Sequence, residues 1–402
     1  MFSLKNKLSS SLKHCISKNT YKQYRVLIKC RKFQSDIVKK IENLKGLTIH
    51  SIESLKLISA LLSPRIIDRL LEFPEVEYID FDIYAHLCGM SVSSANGMHF
   101  SNKHNLSGKG IGIGLIDSGT YPHHDLLTPN NKIKYFLDII NNVKYPYDDN
   151  GHGTFIAGIL CGSGVSSDGL YKGIAEKSFL YSIKAFNATG KGFVSDILAS
   201  LDILNNISEE NNIKVFCLPF EVLEHNNFVL SLFDVLFQKA IKQNITIVVP
   251  SGSNPSVDSS LTGIATLKSC LTIGGINTFK TIKEYNFSPY GSINKTFKPD
   301  FIASCVNISS LNADTSFQSE KNGLKLYPKK LTELYTTFTG TSCAAAYISG
   351  ICALLYENNP TLCFKDILSL LKLACESKGL SQNIEGNGFV NIQNLLHKLL
   401  KL

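Results

Sequence analysis

Residues Phe338–Glu357 read FTGTSCAAAYISGICALLYE. Gly340, Thr341 and Ser342 open a run of Ala, Ile and Leu that is apolar on every side, the pattern of a helix buried within a domain. At the start of such a helix the first N–H groups have no intrahelical partner, and the positive end of the helix dipole lies there. Ser342 therefore has two readings. It caps the helix, as serines at this junction commonly do, or its hydroxyl is a nucleophile beside donors suited to a developing oxyanion. The rest of the chain has to decide.

Outward from that helix, apolar strands alternate with helices. Gly110–Asp117 (GIGIGLID) is an apolar run ending in an acid, the signature of a buried parallel strand with a carboxylate at its C-terminal end. FLYSIKAF, IKVFCLPF, ITIVVPSG and CLTIGGI read as further strands, while FVSDILASLDILNNI, NFVLSLFDVLFQKAIKQ and DILSLLKLAC read as helices. This alternation predicts an α/β fold, a mostly parallel sheet covered by helices on both faces. Such sheets carry their chemistry at the C-terminal strand ends.

A second segment joins Asp117 and Ser342. Asn150-Gly-His152-Gly-Thr154 precedes the apolar FIAGILCG, so His152 opens another buried helix between glycines that permit close backbone approach. A strand-end acid, a positioned histidine and a serine at a helix start are the parts of a Ser-His-Asp triad. Asp148 and Asp149, just before the histidine, read as two solvated carboxylates in a turn.

The 402 residues are 44% hydrophobic and 18% charged, enough to bury a sizeable core and unlike a disordered chain. The net charge of +8 is modest and concentrated before Asp36. It lacks the aromatic interleaving or module that nucleic-acid binding would need. Eleven cysteines, scattered without CxxC pairs, suit buried thiols in a reducing compartment. No stretch has the length of a membrane span, and the N-terminus lacks a secretory apolar core. These features predict a cytoplasmic protein with no nucleic-acid or membrane partner.

Four segments are expected: a loose basic leader over 1–23, an α+β unit over 24–87, a polar linker over 88–108, and the large domain over 109–402. In the second, YRVLIKC is a strand, SDIVKKIENL a helix capped by Ser35, LTIHSIESLKLISALL one or two strands, SPRIIDRLLEFPEV a helix, and VEYIDFDIYAH a closing strand.

The blocks LIDSGTYPHHDL, YDDNGHGTFIAG and FTGTSCAAAYISG resemble the three signature blocks of the subtilisin-like serine proteases, and their wording resembles the intracellular AprX-type subtilases. The resemblance runs from Lys109 to about Gln393. It implies a serine endopeptidase in which Asp117 orients His152, His152 takes the proton of Ser342, and Ser342 forms an acyl-enzyme. It also implies that residues 24–87 act as a propeptide, a folding aid and intramolecular inhibitor removed by a cut between His86 and Asn105. The substrate would be a peptide or protein. Subtilases often bind calcium, although no acidic loop here has its ligand spacing.

Three departures from the family pattern stand out. The family's second oxyanion donor is an asparagine in A-A-G-N; here Ser251-Gly252-Ser253-Asn254 makes Ser253 and Asn254 the candidates. Its substrate-pairing S-L-G becomes Pro219-Phe220-Glu221 after Leu218, so Leu218 to Glu221 with Ser251 and Gly252 are the expected substrate-binding residues. Glu221 reads either as a cleft acid favouring basic side chains or as a solvated loop residue. Cys343-Ala-Ala-Ala follows the serine where the family has M-A-T-P. The oxyanion and substrate departures also fit a second reading, a catalytically impaired scaffold that binds or regulates protein partners.

Overall fold

The computed structural model describes residues 7–87, 90–91, 106–278, 282–293 and 296–391. Most of the linker expected over 88–108 lies outside them. Contacts divide the chain into two units: residues 1–84 with 193–202, and residues 85–192 with 203–402.

The second unit is built on a ten-stranded sheet. Its order is Cys375–Glu376, Phe389–Val390, Phe301–Ser304, Leu271–Asn277, Thr246–Pro250, Ile213–Cys217, Gly112–Asp117, Phe179–Lys184, Ile133–Asp138, with Lys283–Glu284 beside Leu271–Asn277. The central pairs are all parallel. Gly112–Asp117 is buried at every position, because a sheet covered on both faces has no solvent side to alternate against. The helices His152–Cys161 and Thr341–Asn358 pack against each other, and every residue of the first and of Thr341–Tyr356 is buried. Ile133–Asp138, an edge strand, is one that the sequence reading passes over; charged Lys134 and Asp138 mask its apolar character.

The first unit holds an antiparallel sheet ordered Leu47–Ile52, Leu57–Leu62, Tyr24–Cys30, Val76–Phe81. Gln34–Asn43 and Pro64–Leu71 are helices, and their Ile37, Ile41, Ile67 and Leu70 pack with Val26 and Ile28 of the sheet. The basic leader is not loose throughout. Ser10–Ser17 is a helix whose Leu12 is buried in this same core, capped by the Ser9 hydroxyl, which accepts from the Leu12 N–H. Ser35 is not the cap of the next helix; Phe33, in the left-handed region at φ 56°, takes that place. The closing strand is broken at Asp82, which is buried and turns to other partners. Arg25 donates from Nε to Asp82 and from Nη2 to Asp196, both at 2.7 Å, and Ser195 donates its N–H and hydroxyl to Asp82 at 3.0 and 2.6 Å. No helix among the described residues is long and apolar enough to cross a membrane.

Candidate active site

Asp117, at the end of its strand, is fully buried. Both of its carboxylate oxygens lie 2.9 Å from His152 Nδ1, and one accepts the Ser118 N–H at 2.6 Å. His152 Nε2 lies 3.0 Å from Ser342 Oγ. Three residues separated by 35 and 190 positions are thus brought into one chain of hydrogen bonds. A carboxylate can only accept, so Nδ1 carries the imidazole proton, and Nε2 is left to accept from the serine hydroxyl. Burial pushes the Asp117 carboxyl above the ordinary carboxylate range, against the opposing pull of His152 and the Ser118 N–H.

The capping reading of Ser342 does not hold. The helix begins at Thr341 with Gly340 in the cap position, so Ser342 is its second residue, with its hydroxyl on His152. The Thr341 hydroxyl donates to the Gly252 carbonyl at 2.6 Å, tying the helix start to the opposite wall of the cleft.

The two aspartates before His152 are not a solvated pair. Asp148 is fully buried. One oxygen accepts from Ser118 Oγ, Asn150 N and Gly151 N at 2.9, 3.1 and 2.8 Å; the other accepts from Thr154 N and Oγ1 at 2.8 and 2.6 Å. It satisfies first-turn N–H groups of the His152 helix that would otherwise lack partners. Asp149 pairs at 2.6 Å with Lys184, whose buried ammonium also donates to the carbonyls of Ser118 and Phe186. The sequence gives little signal for this arrangement beyond the spacing of Asp148 and Thr154. Gly151 takes φ 95°, and a side chain at Gly153 would meet the Gly119 carbonyl at 2.1 Å, so glycine is required at both.

Of the remaining expected residues, Gly252 and Ser253 line a pocket with Leu87, Gly340 and Thr341. Phe220 is buried against Phe186, with ring centroids 5.2 Å apart. Leu218 donates its N–H to Val248, and Ser251 lies buried with its hydroxyl 3.4 Å from that of Ser288. Phe220 and Glu221 follow Pro219 as a short strand paired antiparallel with Leu87 and His86. Glu221 is not a solvated loop acid; it is 6% exposed, and its carboxylate accepts the N–H of Ser253 at 2.9 Å and the Ser253 hydroxyl. Asn254 donates its side-chain amide to the Ser260 carbonyl at 3.3 Å. Both side chains named for the second oxyanion donor thus already donate to other partners, Glu221 and Ser260. Cys343 faces the core, where burial pushes its thiol up to about 12. Among the described residues no three His, Cys, Asp or Glu side chains converge as a metal site.

The profile of the Subtilase family matches residues 108–388. Serine protease AprX of Bacillus subtilis (strain 168) is 30% identical over 305 residues, covering 73% of this chain and 67% of that protein. An alkaline protease of Shouchella clausii is 26% identical over 348 residues, covering 86% and 80%. Among solved structures, fervidolysin from Fervidobacterium pennivorans, a keratinolytic enzyme related to subtilisin, matches with a TM-score of 0.72 at 16% identity. That match covers 94% of this chain and 61% of fervidolysin, and at such identity it speaks for the fold alone. With the profile spanning more than half of its length, the chain belongs to the subtilase family of serine-type endopeptidases.

Proposed function

We propose that the protein hydrolyses peptide bonds through Asp117, His152 and Ser342 and an acyl-enzyme on Ser342. The observation that carries this is His152, which bridges the other two at 2.9 and 3.0 Å. As the Ser342 oxygen attacks the substrate carbonyl, its proton passes to His152 Nε2. The buried Asp117 charge stabilises the imidazolium, which then protonates the leaving amine. A water deprotonated by His152 releases the acyl group by the reverse route. The backbone N–H at the start of the Ser342 helix supplies an oxyanion donor.

The N-terminal residues are read as a propeptide that is also the first substrate. His86 and Leu87 pair with Glu221 and Phe220, and the Leu87 N–H donates to Gly190. The backbone of Met90 and Ser91 pairs with Thr339 and Phe338, just before Ser342. Chain on both sides of residues 88 and 89 is therefore held beside the nucleophile, and we assign self-cleavage to a bond between Leu87 and Met90. Before the cut, this segment occupies the edge that a substrate strand would use. The alkaline protease match, which covers more of the chain than the family profile, is consistent with that role. Seven buried free cysteines among the described residues support a reducing, intracellular location.

Wild-type protein is expected to lose its N-terminal segment and to label with a fluorophosphonate probe, while Ser342→Ala stays full length and unlabelled. Absence of labelling in processed wild-type protein would sink the proposal. It would favour the second reading, an impaired scaffold, to which the side chains of Ser253 and Asn254, already bonded to Glu221 and Ser260, lend support.

A further inference from the structure

At the edge of the large sheet opposite Asp117 lies a cavity of about 570 Å³ that the reaction above does not use. The parallel strands Gly112–Asp117, Phe179–Lys184 and Ile133–Asp138 begin there, and Lys109, Phe179 and Lys132, close to their starts, line it. Backbone hydrogen bonds fix its walls. Leu180 donates its N–H to the Lys132 carbonyl at 2.8 Å, Lys177 to that of Ser107 at 2.7 Å, and Ser163 to that of Asp125 at 3.0 Å.

The charge around this cavity is one-sided. Lys109, Lys132, Lys172 and Lys177 line it against the single acid Glu176, whose carboxylate already pairs with Lys172 at 2.9 Å. Three of these lysines are exposed and need no explanation. Lys132 is different: it is 6% exposed, and its ammonium donates to the Glu176 carbonyl. Among the described residues it forms no ion pair. An ammonium has three donors, and one neutral carbonyl does not replace the hydration that a buried charge gives up. Burial lowers the Lys132 pKa below the usual lysine value, Lys172 pushes it the same way, and Cys161, Glu176 and Asp125 oppose them. The anion that would complete this group has to come from outside the fold.

We propose that the cavity is a second ligand site, which binds the diphosphate group of a small molecule with Lys132 at its base and Lys109, Lys172 and Lys177 at its rim. Lysine is a point-charge donor suited to phosphate oxygens. A diphosphate carries about three negative charges at neutral pH, which matches four ammonium groups offset by one carboxylate. The volume falls in the range of small-molecule pockets and leaves room for an organic group beyond the diphosphate. The site stands apart from Ser342, so it does not depend on the proposed reaction. Its ligand acts on the stability of the folded chain, because it binds a site assembled only by folding.

The test is isothermal titration of the full chain with sodium pyrophosphate at fixed ionic strength, with sodium sulfate as the control anion and thermal unfolding measured in parallel. Saturable binding of pyrophosphate is expected, with a rise in Tm of about 3 °C or more near saturation that sulfate does not reproduce. Lys132→Met should weaken pyrophosphate binding by about tenfold or more. Its ligand-free Tm should stay at or above that of wild type, since it removes an unpaired buried charge. The exposed double variant Lys109→Gln, Lys177→Gln should also weaken binding by about tenfold, and it decides the matter should Lys132→Met fail to fold. ADP distinguishes the source of the group: competition with pyrophosphate assigns a diphosphate ester, and exclusion assigns the free inorganic anion. Absence of saturable pyrophosphate binding to wild type, an equal response to sulfate, or binding unchanged in the lysine variants overturns the proposal.

Discussion

Asp148 and Thr154 are joined twice, the carboxylate accepting the threonine N–H at 2.8 Å and its hydroxyl at 2.6 Å. That pair of hydrogen bonds anchors the first turn of the helix that presents His152. Asp148→Ala removes the acceptor for five donors and is expected to destabilise the protein by about 1–3 kcal/mol. It should also lower kcat by roughly tenfold or more through loss of His152 alignment. Thermal unfolding and peptide kinetics on the same preparation check both, and Asp148→Asn, which keeps one acceptor oxygen, should fall between.

Asn254→Ala should change kcat by less than ~3-fold, because the amide it removes is spent on Ser260. Loss of a working oxyanion donor would instead cost roughly 100- to 1,000-fold. Steady-state kinetics distinguish these outcomes clearly. A large fall would mean that Asn254 swings towards Ser342 when substrate binds.

His123 gives a pH dependence with a definite sign. Nε2 lies 2.9 Å from the Leu334 carbonyl, and Nδ1 accepts the Asp125 N–H at 3.0 Å, a pattern that only the neutral ring satisfies. Burial lowers its pKa below 6.5, with His124 adding a smaller push the same way and Asp125 and the Leu334 carbonyl opposing it. In the unfolded chain the ring takes up its proton near pH 6.5; in the folded protein it does so only at lower pH. Acid therefore favours the unfolded state. The contribution is complete above pH 6.5 and disappears as the pH falls from there through the folded value. His123→Gln should show a smaller loss of Tm between pH 7 and pH 5 than wild type.

Cys343 adjoins the nucleophile but should not confer thiol sensitivity. A thiol pushed to about 12 has almost no thiolate at neutral pH. Native enzyme incubated with iodoacetamide at pH 7.5 should keep its activity, and Cys343→Ala should change kcat/KM by no more than a few-fold.

Within the first unit, Arg25→Ala leaves Asp82 buried beside Ser195 without its cation. Breaking such a pair is expected to cost about 3–5 kcal/mol. Hydrogen exchange at the Ser195 amide, which donates to Asp82, should rise by orders of magnitude.

Apolar runs and helix starts made the sheet and the meeting of Asp117, His152 and Ser342 legible in the sequence. Gly112–Asp117 ends in its acid, and His152 and Ser342 each open a helix buried along its whole first stretch. These are short-range patterns. What stayed hidden depends on contacts distant in sequence. Asp148 reads as a turn residue until Ser118 and Thr154 close on it, and Glu221 reads as a loop acid until Ser253, 32 positions away, meets it. Leu12 sits among lysines and polar residues, so its helix shows no apolar face long enough to announce a place in a core.

The strand formed by Tyr84–Leu87 has a kinetic consequence. A substrate carried on the enzyme's own chain reacts in a first-order step whose rate does not change with dilution. Well-oriented intramolecular reactions reach effective concentrations of about 10⁵–10⁸ M. If that strand leads into the enzyme's own first substrate, a cleft of modest catalytic power would still cut its own leader at a useful rate, while peptides arriving from solution would meet the full barrier. On that reading maturation and turnover are separate quantities, and the first sets no lower bound on the second.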